Sequence, residues 1–183
     1  MTIAGKIEST IAIPGGVSVT KKDDTVTVKG PRGELSRNFA YPRIMIAIGE
    51  GEVSVSCEYP RIKDKAMLGT YEAHFNNMIK GVTIGFTYSM KVVFSHFPMK
   101  VAVKGKQVQI DNYMGGKAPR IANIVGEKTV VKVSGADVTI EGNDIEACGQ
   151  TAANIEKATS RRGFDKRVFQ DGIYIVGKSH KVR

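Results

Sequence analysis

Two stretches decide the fold: VSVTKKDDTVTVKG at residues 17–30 and VVKVSGADVTIEG at 130–142. Each alternates apolar and polar residues around a polar turn, KKDD in one and SGAD in the other, which is the signature of a β-hairpin. Each closes on a similar strand and glycine, VTVKG at 26–30 and VTIEG at 138–142. A hairpin written twice in 183 residues predicts two modules of about 90 residues rather than one large domain.

Each half also ends in a segment with helical period. Residues 64–80 place Met67, Tyr71, His74 and Met78 on one stripe, with Leu68, Phe75 and Ile79 beside it. Asp64 stands where an N-cap is expected. Residues 144–158 place Ile145, Cys148, Ala152 and Ile155 on one face, and Asn143 with Glu146 has the spacing of a capping box. The halves differ in what joins hairpin to helix. Residues 31–63 supply three further strand-like runs, near 35–39, 44–48 and 53–57, whereas in the second half the extra strands, 88–98 and 99–112, precede the hairpin. The expected fold class is α+β, with two tandem duplicated modules, each a mostly antiparallel sheet covered by one helix. The expected boundaries are 1–82 and 83–183. The alternative, one sheet of eight to ten strands with two helices, leaves each hairpin without its own covering helix.

The formal charge is +9, and it is unevenly spread. Residues 1–90 carry 11 basic and nine acidic side chains, whereas 91–183 carry 16 and nine. From Lys157 to Arg183 there are eight Lys or Arg against two Asp, with Phe164, Phe169 and Tyr174 among them. Cations at that density repel one another and face a polyanion, while interleaved rings stack on bases. A solvated terminus is the competing reading, and the periodic DGIYIVG segment argues against it. A loop at 112–120, NYMGGKAPR, adds Lys117 and Arg120 beside two glycines that allow close backbone approach.

Other motifs carry less. GIYIVGKS at 172–179 matches a P-loop formally, but its loop positions read as a strand and too few residues follow to form the phosphate-facing helix. Gly30-Pro31-Arg32-Gly33 matches a GxxG loop but joins two strand-like runs, as a hairpin turn would. Asp23 and Asp24 fall in a hairpin turn, where carboxylates stabilise the turn. His74, His96 and His180 are dispersed, and neither metal-ligand spacing nor a nucleophile motif is present. No cofactor and no catalysis are therefore expected. Cys57 and Cys148 read as two buried free thiols of a reducing compartment. No run approaches the roughly 20 apolar residues of a membrane span, so the expected location is cytoplasmic, with no membrane partner.

Taken together, IPGGVSVTKKDDTVTVKGPRGELSRNF, DNYMGGKAPRI, VTIEGNDIEACGQTAANIEKAT and KRVFQDGIYIVGK resemble the large-subunit ribosomal protein six family, in its archaeal and eukaryotic form, over nearly the whole chain. The tail at 165–174 departs from the KGKG-rich tail of bacterial members. The resemblance implies two duplicated α+β modules and a structural, rRNA-binding component of the ribosome. It further implies docking of the second module on large-subunit rRNA near the sarcin–ricin loop, with neighbouring ribosomal proteins around it and translational GTPases passing close by. The matching positions are Gly149, Gln150 and Asn154 on the helix, the tail through Lys178, and the loop at Lys117. The expected RNA-binding residues are then Lys117, Arg120, Gln150, Asn154, Lys157, Arg161, Arg162, Lys166, Arg167, Tyr174 and Lys178. A protein–protein scaffold, with the nearly neutral first module as its recognition surface, is the rival from another class.

Overall fold

The computed structural model describes residues 5–49, 51–160, 163, 165 and 167–178. The chain divides into two compact units, Met1–Ile84 and Gly85–Arg183. The first contains strands β1 (Lys6–Ala12), β2 (Ser18–Lys22), β3 (Thr25–Gly30), β4 (Gly33–Asn38), β5 (Met45–Ile48) and β6 (Glu52–Glu58), followed by helix α1 (Ile62–Thr83). The second contains β7 (Phe86–Val93), β8 (Lys100–Lys104), β9 (Gln107–Asp111), β10 (Arg120–Asn123), β11 (Val130–Ser134), β12 (Asp137–Gly142), helix α2 (Ile145–Ala158) and β13 (Gly172–Lys178).

The fold is α+β in two tandem modules. Within each, the antiparallel strands divide between two small sheets: β1-β6-β5 and β2-β3-β4 in the first, β11-β12-β7-β13 and β10-β9-β8 in the second. Strand for strand, β1 through β6 correspond to β7 through β12, and β13 is an addition along the free edge of β7.

That correspondence corrects the hairpin alignment. The 17–30 hairpin is β2–β3, whose counterpart is β8–β9, whereas the 130–142 hairpin is β11–β12, whose counterpart is β5–β6. The two look alike because any half-buried hairpin repeats apolar residues with period two. Their closing glycines confirm the mismatch. A Cβ on Gly30 would sit 2.7 Å from Val82 near the end of α1, while one on Gly142 would sit 2.5 Å from Cys148 Sγ at the start of α2. With the correct register, the strands of both modules precede the helix in the same order.

In the first module, alternate residues of β3 (Val26, Val28) and β6 (Val53, Val55, Cys57) meet Leu68, Tyr71, Phe75, Met78, Ile79 and Val82 of α1. Full burial of each such side chain contributes about 1.5–3 kcal/mol. Phe39 stacks on Phe75 at 4.8 Å and meets Tyr71 edge-on at 4.8 Å. His74 is half-buried beside this cluster, 6.4 Å from Phe39. Asp64 lies in the first turn of α1 rather than at its cap. Its buried carboxylate accepts from the Tyr41 hydroxyl (2.7 Å) and the Arg61 backbone N–H (2.9 Å), and pairs with Arg43 (3.0 Å). These bonds, Tyr41 foremost, hold its pKa below the ordinary carboxylate value.

In the second module, Tyr88, Met90 and Val92 of β7, Val108 and Ile110 of β9, and Val138 and Ile140 of β12 pack on Cys148, Ala152 and Ile155 of α2. The cap of α2 is Asp144, whose carboxylate accepts from Glu146 N–H at 2.9 Å, one residue later than the Asn143 expected from the capping-box spacing. Burial pushes the Cys148 thiol up to about 11, with Asp144 adding to the shift. Within the basic tail, residues 172–178 form an integral strand. β13 pairs with β7 from Gly172↔Val93 to Lys178↔Tyr88, and Ile173 is wholly buried. The glycine-bounded P-loop match therefore runs along a ladder through Lys178, not through an open loop.

Candidate nucleic-acid interface

One border of the concave part of the second module grows from a difference between the halves. Between β3 and β4 the chain turns over two residues, Pro31 and Arg32, whereas between β9 and β10 residues 112–119 intervene. Asn112 (φ 60) and Met114 (φ 50) both adopt left-handed backbone there. Such conformations cost of order 1–3 kcal/mol and persist only where surrounding contacts enforce them. Asn112 Nδ2 donates to the Pro98 carbonyl at 3.1 Å. Gly115 (φ 74) sits where a Cβ would lie 3.1 Å from the Phe97 ring.

Arg120 closes the loop against the helix. Its guanidinium lies 4.5 Å from the Tyr113 ring centroid, and Nη1 donates to the Ala158 carbonyl at 2.8 Å. It thereby neutralises the carbonyl end of α2, where the helix dipole favours a cation. Arg32 does the same in the first module, donating from Nη1 to the Ile84 carbonyl at 2.8 Å and from its backbone N–H to Val82 at 3.0 Å. Arg120 is thus half-buried and employed inside the module, while Lys117 stands exposed on the loop.

Along α2, Gln150 is exposed and its Nε2 donates to Asn154 Oδ1 at 2.9 Å, while Asn154 Nδ2 donates to the Asn123 carbonyl of β10 at 2.9 Å. Asn154 therefore ties helix to strand, and Gln150 is the member of the pair turned outward. Lys157 is exposed in the last turn. Beyond it, Thr159 Oγ1 accepts from the Ile173 N–H at 3.0 Å, anchoring β13 to the end of α2.

Three concavities adjoin here. One is the hollow of the 113–120 loop, one is a shallow groove between β10 and α2 past Asn123 and Asn154, and a cleft of about 380 Å³ lies between them. Tyr113 and Met114 line both hollow and cleft, and Lys157 lines both cleft and groove. The cleft is completed by Ala153, Glu156, Thr159, Ser160, Phe169, Asp171 and Tyr174. Arg167 is exposed on a turn in which Asp165 accepts from the Arg167, Val168 and Phe169 N–H groups. Arg161, Arg162 and Lys166 lie outside the described residues.

The structure therefore brings Lys117, Asn154, Lys157 and Tyr174 onto one face, with Arg120 behind it. Lys178 is elsewhere. It lies four residues along β13 from Tyr174, roughly 13 Å away at strand rise, beside Tyr88, whose hydroxyl approaches Gly149. Periodicity did not reveal Met114, Asn123, Glu156 or Asp171 as parts of this face. The glycines and cations of the 112–120 loop were the signal near Met114, and the others are placed by pairing across the fold.

Comparison with known proteins agrees with this architecture. A family model described as Ribosomal protein L6 matches residues 13–85 and 97–172. The chain is 52% identical over 178 residues, 97% of its length and 99% of the relative's, to a protein of Methanobrevibacter smithii named large ribosomal subunit protein uL6. It is 52% identical over 174 residues, 95% and 98% of the two lengths, to a protein of that name from Methanosarcina mazei. The two-module fold with its basic second half is thus that of a ribosomal protein. Within that class, the chain belongs to the ribosomal protein L6 family.

Proposed function

We infer that the chain serves as a non-catalytic structural constituent of the large ribosomal subunit in the cytoplasm and binds large-subunit rRNA mainly through its C-terminal module, near the sarcin–ricin region and the binding site of translational GTPases. The observation that carries the choice of module is charge placed on shape. The second unit holds 16 of the 27 basic residues, and Lys117 and Lys157 flank its contiguous hollow, cleft and groove. Lys117, Lys157, Arg161, Arg162, Lys166 and Arg167 neutralise phosphates, with Lys178 making a separate contact from the far end of β13. Gln150 hydrogen-bonds sugar or base edges and Tyr174 offers a ring, while Arg120 and Asn154 hold the frame. The first module, nearly neutral and with Tyr59 and Ile62 exposed at 72% and 89% beside the start of α1, faces protein neighbours.

Seven phosphate contacts, Lys178 included, predict a log–log salt slope of roughly 5–6 in magnitude. Replacing Lys117 and Lys157 together by Ala is expected to weaken rRNA binding and lower the slope by about two without changing the unfolding midpoint. Unchanged affinity and slope in that variant would remove the second module as the phosphate-binding surface, and mapped crosslinks confined to the first module would do the same.

A further inference from the structure

We propose that the cleft between the 112–119 loop and the end of α2 receives one unstacked nucleobase, with guanine the favoured occupant. The inference rests on the RNA-binding reading above and names the ligand of part of that surface. A volume of about 380 Å³ lies at the lower end of small-ligand clefts, roughly 300–1,000 Å³. It accommodates a flat base and excludes a duplex.

The walls suit a planar ring. Tyr174 is half-buried within the cleft, held above Gly172, where a Cβ would sit 3.2 Å from the tyrosine ring. Phe169 stands at 48% exposure on the same cleft. Met114, at its left-handed backbone position, also lines the cleft and brings a polarisable thioether. Splayed-out bases of single-stranded RNA stack on surfaces of this kind and are read along their Watson–Crick edges.

The polar lining selects the base. Glu156 and Asp171 are carboxylates, which only accept hydrogen bonds when ionised, and Asp171 Oδ1 already accepts from Ser95 N–H at 3.1 Å. The lining therefore favours an occupant that brings donors. Guanine offers N1–H and N2–H side by side, matching a carboxylate's two oxygens, whereas uracil offers one N–H between two carbonyls. Lys157 at the cleft lies ready for the attached phosphate. An inserted apolar side chain of a protein partner would bring no donor to the Glu156 carboxylate or to the second oxygen of Asp171. In the first module the β3–β4 connection is a two-residue turn and α1 continues to Thr83, so the loop and return strand that line this cleft have no equivalent among the described residues.

The test titrates the isotopically labelled full chain with GMP, AMP, CMP and UMP while following the Met114 methyl and Ala153 amide signals. Saturable shifts at both, tightest for GMP, are expected. Phe169→Ala and Glu156→Gln should each weaken GMP roughly tenfold, equivalent to about 1.4 kcal/mol, and Glu156→Gln should narrow the gap between GMP and UMP. Absence of shifts at these positions overturns the proposal, as do equal responses to all four nucleotides or a response confined to Lys117. If rRNA binds while GMP does not enter, the cleft assignment alone fails. If GMP enters but rRNA does not bind, the ribosomal-RNA reading fails and the cleft stands.

Discussion

The two modules carry the same six strands and one helix in the same order, yet one is nearly neutral and the other strongly basic. Two departures are the largest. A two-residue turn in the first becomes the 112–119 loop in the second, and a 22-residue helix becomes a 14-residue helix followed by a return strand. Both departures border one cleft. The shared frame, including an arginine on the helix C-terminus in each module, was left in place while loop and tail changed. Connections carry new function because they can vary without disturbing the buried sheet faces.

Removing the support of β13 is expected to break the comparison most strongly. Ile173→Ala vacates a wholly buried position and should cost the second module about 2–5 kcal/mol. Among the described residues the first module has no counterpart to this strand, so its amide exchange should stay unchanged. Equal loosening of both modules would show that they unfold as one unit.

The paired arginines sharpen the comparison. Arg120→Ala loses a charge-assisted hydrogen bond and a ring contact, and should destabilise its module by about 1–2 kcal/mol. Arg32→Ala, at an exposed turn, should cost about 1 kcal/mol or less. Urea unfolding of each variant measures both. An rRNA salt slope that falls by about one on Arg120→Ala would move that residue from frame to phosphate contact.

The smallest expected effect separates the modules by pH. Asp64 has a folded pKa below its unfolded value, so its stabilisation is present above about 3.9 and lost as pH falls through the folded value. Cys148 is raised to about 11, so its contribution is full below its unfolded value near 9 and lost as pH rises toward 11. Tyr41 and Tyr71 of the first module are also raised, but from about 10. Acid should therefore weaken the first module through Asp64, and alkali should reach the second module first. Asp64→Asn should flatten the acid dependence and Cys148→Ala the alkaline one, read from residue-specific amide exchange. No change in either profile would remove these groups as the cause.

Much of this was legible in the residues themselves. Alternation over 17–30 and 130–142 marked hairpins, the 3.6-residue period marked both helices and their buried faces, and the charge count singled out the second half. These signals are local, since a strand or helix burying one face must repeat apolar residues with its own period whatever lies opposite. Which hairpin answers to which was not local. VTVKG and VTIEG look alike, and only strand order shows that Gly30 fits beneath the end of α1 while Gly142 fits beneath the start of α2. The same holds for Arg120 and Lys178. Sequence marked both as cations, but long-range pairing committed the first to Tyr113 and Ala158 and carried the second to the far end of β13. Composition and periodicity determined the elements and the sign of the partner's charge. The cleft, with Met114, Glu156 and Asp171 drawn in from separate segments, was decided by tertiary packing alone, because residues far apart in the chain become neighbours only when the sheets and helix close.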